Sequence, residues 1–426
     1  MLAIFTTVFI DLLGFGILIP VFPLLISPGS PFRITPEGWS FTQGLIMLGW
    51  LQAIFPFCIF MAAPILGQLS DRHGRRPVLA LSIFGTSLGY VLFAIGIVTK
   101  NIPLLFAARA LDGITGGNLA VAQAAIGDIS TNENRAKNFG LLGAAFGLGF
   151  IIGPYLGGRL SAPHVSFYGL FHTPGWFGAT TPFWFAALLA LTNCLVVLTT
   201  LPETLKNKIE NARIHVAQSL ENVSRGFSSE RLRVILMTGF LFNAGFTFFT
   251  TFFGVYLRNN FGFNQSKTGD YFAIVGLFIA FSQAVLVARV SKKLSDWKVL
   301  RFSIFGNATM MLVYFLIPTS SPSYLYLAIP FFTAFNGLTM ANMSSLVSRS
   351  AEMGKQGEAM GIYSSVQSLA QVPASILVGY ITSGITSNTP LIVASVCIAL
   401  GGFVFVTSFR PKFVSEAVAA PVSAAH

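Results

Sequence analysis

Three ionisable side chains, Asp11, Arg109 and Asp112, stand inside long apolar stretches of a 426-residue chain. A charge near the centre of a bilayer-crossing segment costs on the order of 2.5–3.5 kcal/mol, so such residues line a polar cavity or do chemistry. Two carboxyls and one guanidinium offer one kind of chemistry, which is to bind and release a proton and to exchange ion-pair partners. Arg109 and Asp112 are three apart and share a helix face, so the guanidinium favours the ionised form of its neighbour. Asp11 lies among Ile10, Leu12 and Leu13, a setting that favours a carboxyl carrying its proton. Asp11 is therefore expected to cycle the proton, with Arg109 and Asp112 as the switching pair. Two competing readings are Asp112 as the carrier and a static buried ion pair between the two segments.

The segments that hold these residues dominate the chain. With 54% hydrophobic and 10% charged residues, the composition is that of an integral membrane protein. Twelve runs are long enough to cross a hydrocarbon core, at about 20 helical residues each: 3–27, 43–66, 78–98, 102–127, 138–158, 181–201, 234–257, 269–288, 300–318, 323–347, 358–382 and 389–409. The first has no basic leader and no small-residue cleavage site and reads as a retained span. On a helical rise of about 1.5 Å per residue, Asp11, Arg109 and Asp112 all fall in the middle third of their spans. Cys58, Cys194 and Cys397 each sit in an apolar run and imply neither a disulfide framework nor a metal site. No nucleophile and base pair, metal cluster or phosphate loop appears, so neither an enzyme nor a cofactor is expected.

A net charge of +11 could indicate nucleic acid, but the distribution of the basic residues assigns it otherwise. With both termini on the cytoplasmic side, 20 of the 26 Lys and Arg fall in cytoplasmic segments and five on the opposite side. That bias is the positive-inside rule, so the charge reports orientation in a cell membrane and no nucleic-acid partner is expected.

The longest polar stretch, Pro202 to Arg233, carries ten charged residues and follows the sixth span. The expected organisation is a six-helix bundle over 1–201, a cytoplasmic linker over 202–233, a second bundle over 234–409 and a cytoplasmic tail over 410–426. A shift of 221 residues lays Val78 and Leu79 on Val299 and Leu300, Gly140 on Gly361, and Gly158 on Gly379. The fold class expected is thus all-α, with twelve transmembrane helices in two six-helix bundles. In such repeats a substrate site lies near the bilayer midplane.

Charge concentrates in the loop after span two, "GQLSDRHGRRP", residues 67–77. Gly67 and Gly74 allow a tight turn, Asp71 can meet donors at a helix N-terminus, and Arg72, Arg75 and Arg76 can bridge to acids on other loops. A basic interfacial loop alone would look similar. The motif closely resembles the signature loop of the major facilitator superfamily. The resemblance implies a cytoplasmic latch of Asp71 and the arginines that holds an outward-open state and breaks on inward opening. It also implies Asp128 and Arg135 as latch members, with Glu133 beside them, and the start of span eleven, "GKQGEAMG" over 354–361, as the partner of Asp71.

Span five reads "GAAFGLGFIIGPYLGG", with Gly149, Gly153 and Gly157 four apart, a flat face that admits another backbone, and Pro154 as a kink. Ordinary tight packing explains part of this. "GPYLGG", which adds Gly158, resembles the exporter motif of drug:proton antiporters, and "RALDGITGG" resembles the span-four motif of the superfamily. "FIDLLGFGILIPVFP" resembles span one of the tetracycline-efflux group, whereas the second half has no deep acid or histidine, which argues against a tetracycline:metal chelate as substrate.

Amides and aromatics mark the expected substrate lining: Phe15, Asn118, Gln123 and Phe146 in the first half, and Asn243, Phe246, Asn336, Gln367 and Gln371 in the second. Such a mixture suits a small amphipathic organic molecule better than a small ion. The resemblance as a whole implies a monomeric, proton-coupled antiporter that exports an organic compound by alternating access. A transporter of a physiological metabolite, such as a sugar or siderophore, and a non-transporting membrane receptor remain the alternatives.

Overall fold

The computed structural model describes residues 2–130, 135–167, 171–205, 215, 217–290, 293–351, 356–384 and 388–411. The side chains of Phe15, Arg135 and Phe146 lie outside those described, as do Glu133 and the tail beyond 411. Among the described residues, nine helices are long and apolar enough by themselves to cross a membrane, and the rest complete a set of twelve spans. In chain order these are Leu2–Ile26, Phe41–His73, Arg75–Val98, a fourth in two pieces (Ile102–Gly116 and Asn118–Ile129), Arg135–Leu160 and Thr181–Thr200 in the first half. The second half has Arg233–Phe261, Gln265–Val290, Asp296–Leu316, Ser323–Ser350, Gln356–Gly384 and Thr389–Ser408. A helix satisfies every interior backbone group without water, which is why the apolar runs take this form.

Local chemistry sets the ends. Ser40 and Gln43 form a reciprocal capping box at the start of span two, and Asn101 and Asn264 cap spans four and eight. Gly262, in the left-handed region, closes span seven. The turn expected at Gly67 does not form. Span two runs on as helix to His73, and only Gly74 turns the chain, at φ 107°. One reversal of direction needs one residue free of a Cβ penalty, and Gly67 is left as an ordinary helical glycine with open space about it. Span eight widens into a π-helical turn over Ser282–Val287, where Ser282 Oγ crosses the bare face of Gly337 in span ten. A short antiparallel hairpin, Ser166–Phe167 with Phe171–His172, decorates the connection between spans five and six.

Within the first half, span one packs on spans five and six, and span three on four and six. Within the second, span seven packs on eleven and twelve, and span nine on ten and twelve. The halves meet chiefly along two seams, span two with eleven and span five with eight, and span one also touches span seven. Both seams close near the end of the bundle opposite the chain termini. A Cβ on Gly158 would stand 3.0 Å from the Cα of Gly269, and one on Gly49 would stand 3.3 Å from the Cα of Gly379. Gly158 and Gly379, matched by the 221-residue shift, thus do the same work in the two seams. At the terminus end Gly127, Gly357 and Gly361 face open space. There the linker helix Gln218–Ser228 bridges the halves, with Ser219 donating to the Phe60 carbonyl and Gly226 admitting Ile362 and Leu236.

Candidate functional site

Span four delivers the charge pair. Arg109 Nη1 donates to Asp112 Oδ2 at 2.9 Å, and both side chains are buried. The guanidinium also lies 4.1 Å from the centre of the Phe55 ring on span two, a cation–π contact worth up to about 2 kcal/mol when desolvated. The pair lies within span four, and among the described residues no ion pair joins spans one and four. Asp11, on span one, faces Asn118 and lies within electrostatic reach of Asp112. Asp11 Oδ2, both amide atoms of Asn118, and Nε and Nη2 of Arg109 are buried with no hydrogen-bond partner among the described residues.

Tyr90 on span three belongs to the same group, and sequence reasoning missed it. A Cβ on Gly14 would collide with its hydroxyl, so the glycine opens the space in which the phenol meets span one. Asp11, Arg109 and Asp112 all act electrostatically on that phenol. With Leu18, Phe93 and Phe183, Tyr90, Arg109 and Asp112 line a cavity about large enough for one water. Nothing in a lone tyrosine inside an apolar run signals this; only its position opposite "DLLG" does.

At the terminus end Arg75 is the hub. It pairs with Asp71 at 2.7 Å and with Asp128 at 3.0 Å, and Nη1 donates to Ser70 Oγ at 2.5 Å. The expected meeting of Asp71 with the start of span eleven is absent among the described residues. Glu358 of that span pairs with Arg225 of the linker helix at 3.5 Å instead, because the halves stand apart here and the linker helix lies between them. Arg72 is exposed, and Arg76 donates to the Leu198 carbonyl.

Glu203, just after span six, was also missed. Its carboxylate accepts the backbone N–H of Arg75 at 2.9 Å and of Arg76 at 3.3 Å, so it caps span three where Gly74 has no side chain to do so. Partial burial pushes its carboxyl up, but the N–H groups of Leu205, Arg75, Arg76 and Thr204 outweigh that and hold it below the ordinary glutamate value. A lowered folded value means that the stability it adds is present above the unfolded value of about 4.3 and is lost as pH falls through the folded one. Glu203→Gln should therefore cost under about 1 kcal/mol at pH 7 and flatten the loss of thermal stability on acidification. Melting curves from pH 7 to 3 with slopes equal to wild type would remove the cap.

The glycine face of span five serves two neighbours. Cβ atoms on Gly149, Gly153 and Gly157 would strike Leu12, Leu13 and Ile17 of span one, and one on Gly16 would stand 2.6 Å from Pro154. Gly158 turns instead to span eight. Beside it Arg159 grips Asp270 of span eight with two bonds, at 2.8 and 3.0 Å, an ion pair between the halves for which the sequence offered no pairing signal.

The expected lining divides. Asn243 and Gln367 both lie against the Tyr363 hydroxyl, and Asn243 also donates to the Gly239 carbonyl at 2.7 Å. Phe246 is half-buried and stacks on Phe242 at 6.1 Å. Gln123 is exposed, Gln371 half-buried and Asn336 buried with its Nδ2 unpartnered. No hydrogen bond among the described residues ties these three to either group.

Comparison with known proteins gives the geometry a family. The Major Facilitator Superfamily model matches residues 4–375. The class C tetracycline resistance protein of Escherichia coli is 26% identical over 378 residues, covering 89% of this chain and 88% of its own. Multidrug resistance protein 1 of Bacillus subtilis (strain 168) is 29% identical over 404 residues, covering 93% and 92%. Among solved structures, the human organic anion transporter MFSD10 (TETRAN) superposes with a TM-score of 0.71 at 22% identity, covering 95% of this chain and 98% of that one. The D-xylose-proton symporter does so with 0.74 at 16%, covering 96% and 97%. Both share the twelve-helix fold, with its two six-helix bundles. With the model matching most of its length and the fold matching as well, this multi-pass membrane protein belongs to the major facilitator superfamily of transporters.

Proposed function

We propose that the protein is a proton-coupled antiporter of the cell membrane, with both termini cytoplasmic, that works as a monomer and exports small amphipathic organic compounds by alternating access. The bundles over 1–201 and 234–409 are its moving bodies and 202–233 their linker. On this reading the structure, closed opposite the termini, is the inward-facing state. The observation that carries the proposal is Asp11, whose Oδ2 is buried and unpartnered and which forms no ion pair among the described residues, next to the Arg109–Asp112 pair. An ionised carboxylate so placed costs several kcal/mol, a cost that a bound proton removes and that a neighbouring cation would remove as well. Asp11 loads the proton, and Arg109 and Asp112 exchange partners as it leaves. The relatives named for tetracycline and multidrug resistance support an organic drug-like cargo. Asn118, Asn243, Phe246, Gln367 and Tyr363 are its first contacts.

Everted vesicles test this. With an acid interior reported by a pH dye, an exported compound added outside should collapse the gradient as protons leave in exchange. Acidification on adding compound would indicate symport, and no proton movement with any compound that is transported would end the coupling claim.

Arg75, Asp71, Asp128 and the Gly74 turn are the first half's side of the terminus-end latch, bonded among themselves, while its contact across the halves is the part that separates in the inward-facing state. Gly74→Leu puts a side chain at φ 107° and drives it into the Glu203 carboxylate, so transport should slow several-fold in well-expressed protein. Asp71→Asn, which takes one partner from Arg75, should slow it less. Wild-type rates of dye efflux in both variants would remove the latch.

A further inference from the structure

The loop between spans eight and nine is the second half's counterpart of the signature loop, and among its described residues only Asp296 takes part in an ion pair, with Arg349. Asp296 is the only acid from 289 to 301. It is already engaged, with Ser345 Oγ at 2.5 Å and Arg349 Nε at 3.2 Å from its Oδ2. Lys298 and Arg301 are left without an ion pair among the described residues. Both sit at the Trp297 ring, 5.4 and 4.8 Å from its centre, and Nε of Arg301 is buried without a partner. Four residues further along the helix from each stand Phe302 and Phe305, which are exposed. On a helix that spacing is one stripe: two cations at the terminus-side end, then an aromatic face directed outward into the hydrocarbon region. A tryptophan at the junction matches the depth of lipid headgroups.

We propose that this stripe binds an anionic phospholipid, its phosphate held between Lys298 and Arg301 and its acyl chains laid over Phe302 and Phe305. A free phosphate satisfies only the upper part of the stripe, whereas a lipid satisfies both, and the two cations, with the one acid of the loop engaged by Arg349, select a negative headgroup over a zwitterionic one.

Native mass spectrometry of the detergent-purified protein, with phosphatidylglycerol or phosphatidylcholine added, tests the site. The double variant Lys298→Gln, Arg301→Gln should weaken the phosphatidylglycerol adduct on the order of twentyfold, at about fivefold per cation, and leave phosphatidylcholine unchanged. Lys100→Gln, Arg258→Gln, at the other end of the bundle, should change neither. An undiminished phosphatidylglycerol adduct in the first variant, or an equal loss in the second, overturns the proposal. Displacement of the lipid by equimolar inorganic phosphate would likewise show a plain anion site. In vesicles, brominated phosphatidylglycerol should quench the emission component that Trp297→Phe removes, more strongly than brominated phosphatidylcholine does. Equal quenching by the two lipids also overturns it, and this second measurement needs no charge change in the protein.

Discussion

Asp11→Asn should abolish uphill, proton-driven export and leave downhill exchange of substrate measurable. The amide keeps the size and much of the polarity of the protonated carboxyl, so the first span should pack as before, while the group can no longer gain or lose a charge. Asp112→Asn should behave differently. It leaves the Arg109 guanidinium, already stacked on Phe55, without its one carboxylate, and uncompensating a buried charge costs about 3–5 kcal/mol. Lower expression and a general loss of transport, exchange included, are therefore expected. Both variants are measured in proteoliposomes, with a pH gradient for uphill export and with equal pH for exchange. If Asp11→Asn still concentrates substrate, the proton is carried elsewhere and Asp112 takes over the role.

The second large effect belongs to the seams. Gly158→Val and Gly49→Val each push a branched side chain against backbone, toward Gly269 in one case and 2.7 Å from the Ser375 carbonyl in the other. Backbone on a packed helix cannot swing aside as a side-chain tip can, and overpacking of this kind costs about 1–3 kcal/mol. Only the state closed opposite the termini bears that cost, so either substitution should move the population tenfold or more toward the other state and nearly stop the cycle. Spin labels at Ala162 and Lys267, in a background with the three cysteines replaced, should report a longer distance across the seam of spans five and eight. An unchanged distance with normal transport would show that the seam does not gate.

How far the chain could be read in advance follows from how steeply each feature is constrained. All twelve spans were legible because hydrocarbon tolerates nothing else, and Asp11, Arg109 and Asp112 stood out because charge inside a span is so costly. The spacing of Arg109 and Asp112 foretold their bond. Tyr90 and Glu203 were hidden for the opposite reason, since a tyrosine in a span and a glutamate at its edge are ordinary, and only the third dimension sets one against Gly14 and the other beneath Arg75. The partner of Asp71 was misjudged because a latch pairing belongs to one conformational state, and a sequence has no state. Of the amides, Asn118 lies with the charges and Asn243 and Gln367 share Tyr363, whereas Gln123 is exposed and bonded to neither group, for a single amide carries no periodic signal of which way it points.

Span four carries the Arg109–Asp112 pair in one piece and ends the other at Asp128, with the helix interrupted at Gly117 between them. Mechanically that is a crank with an elbow. From Gly117 to Asp128 the arm is eleven residues, about 16 Å at the helical rise. A rotation of about 10° at the elbow sweeps its tip through about 3 Å. That travel equals the whole length of the bond from Asp128 to Arg75, 3.0 Å. A change of partner at the middle of the bilayer would therefore reach the hub at its surface through the elbow at Gly117.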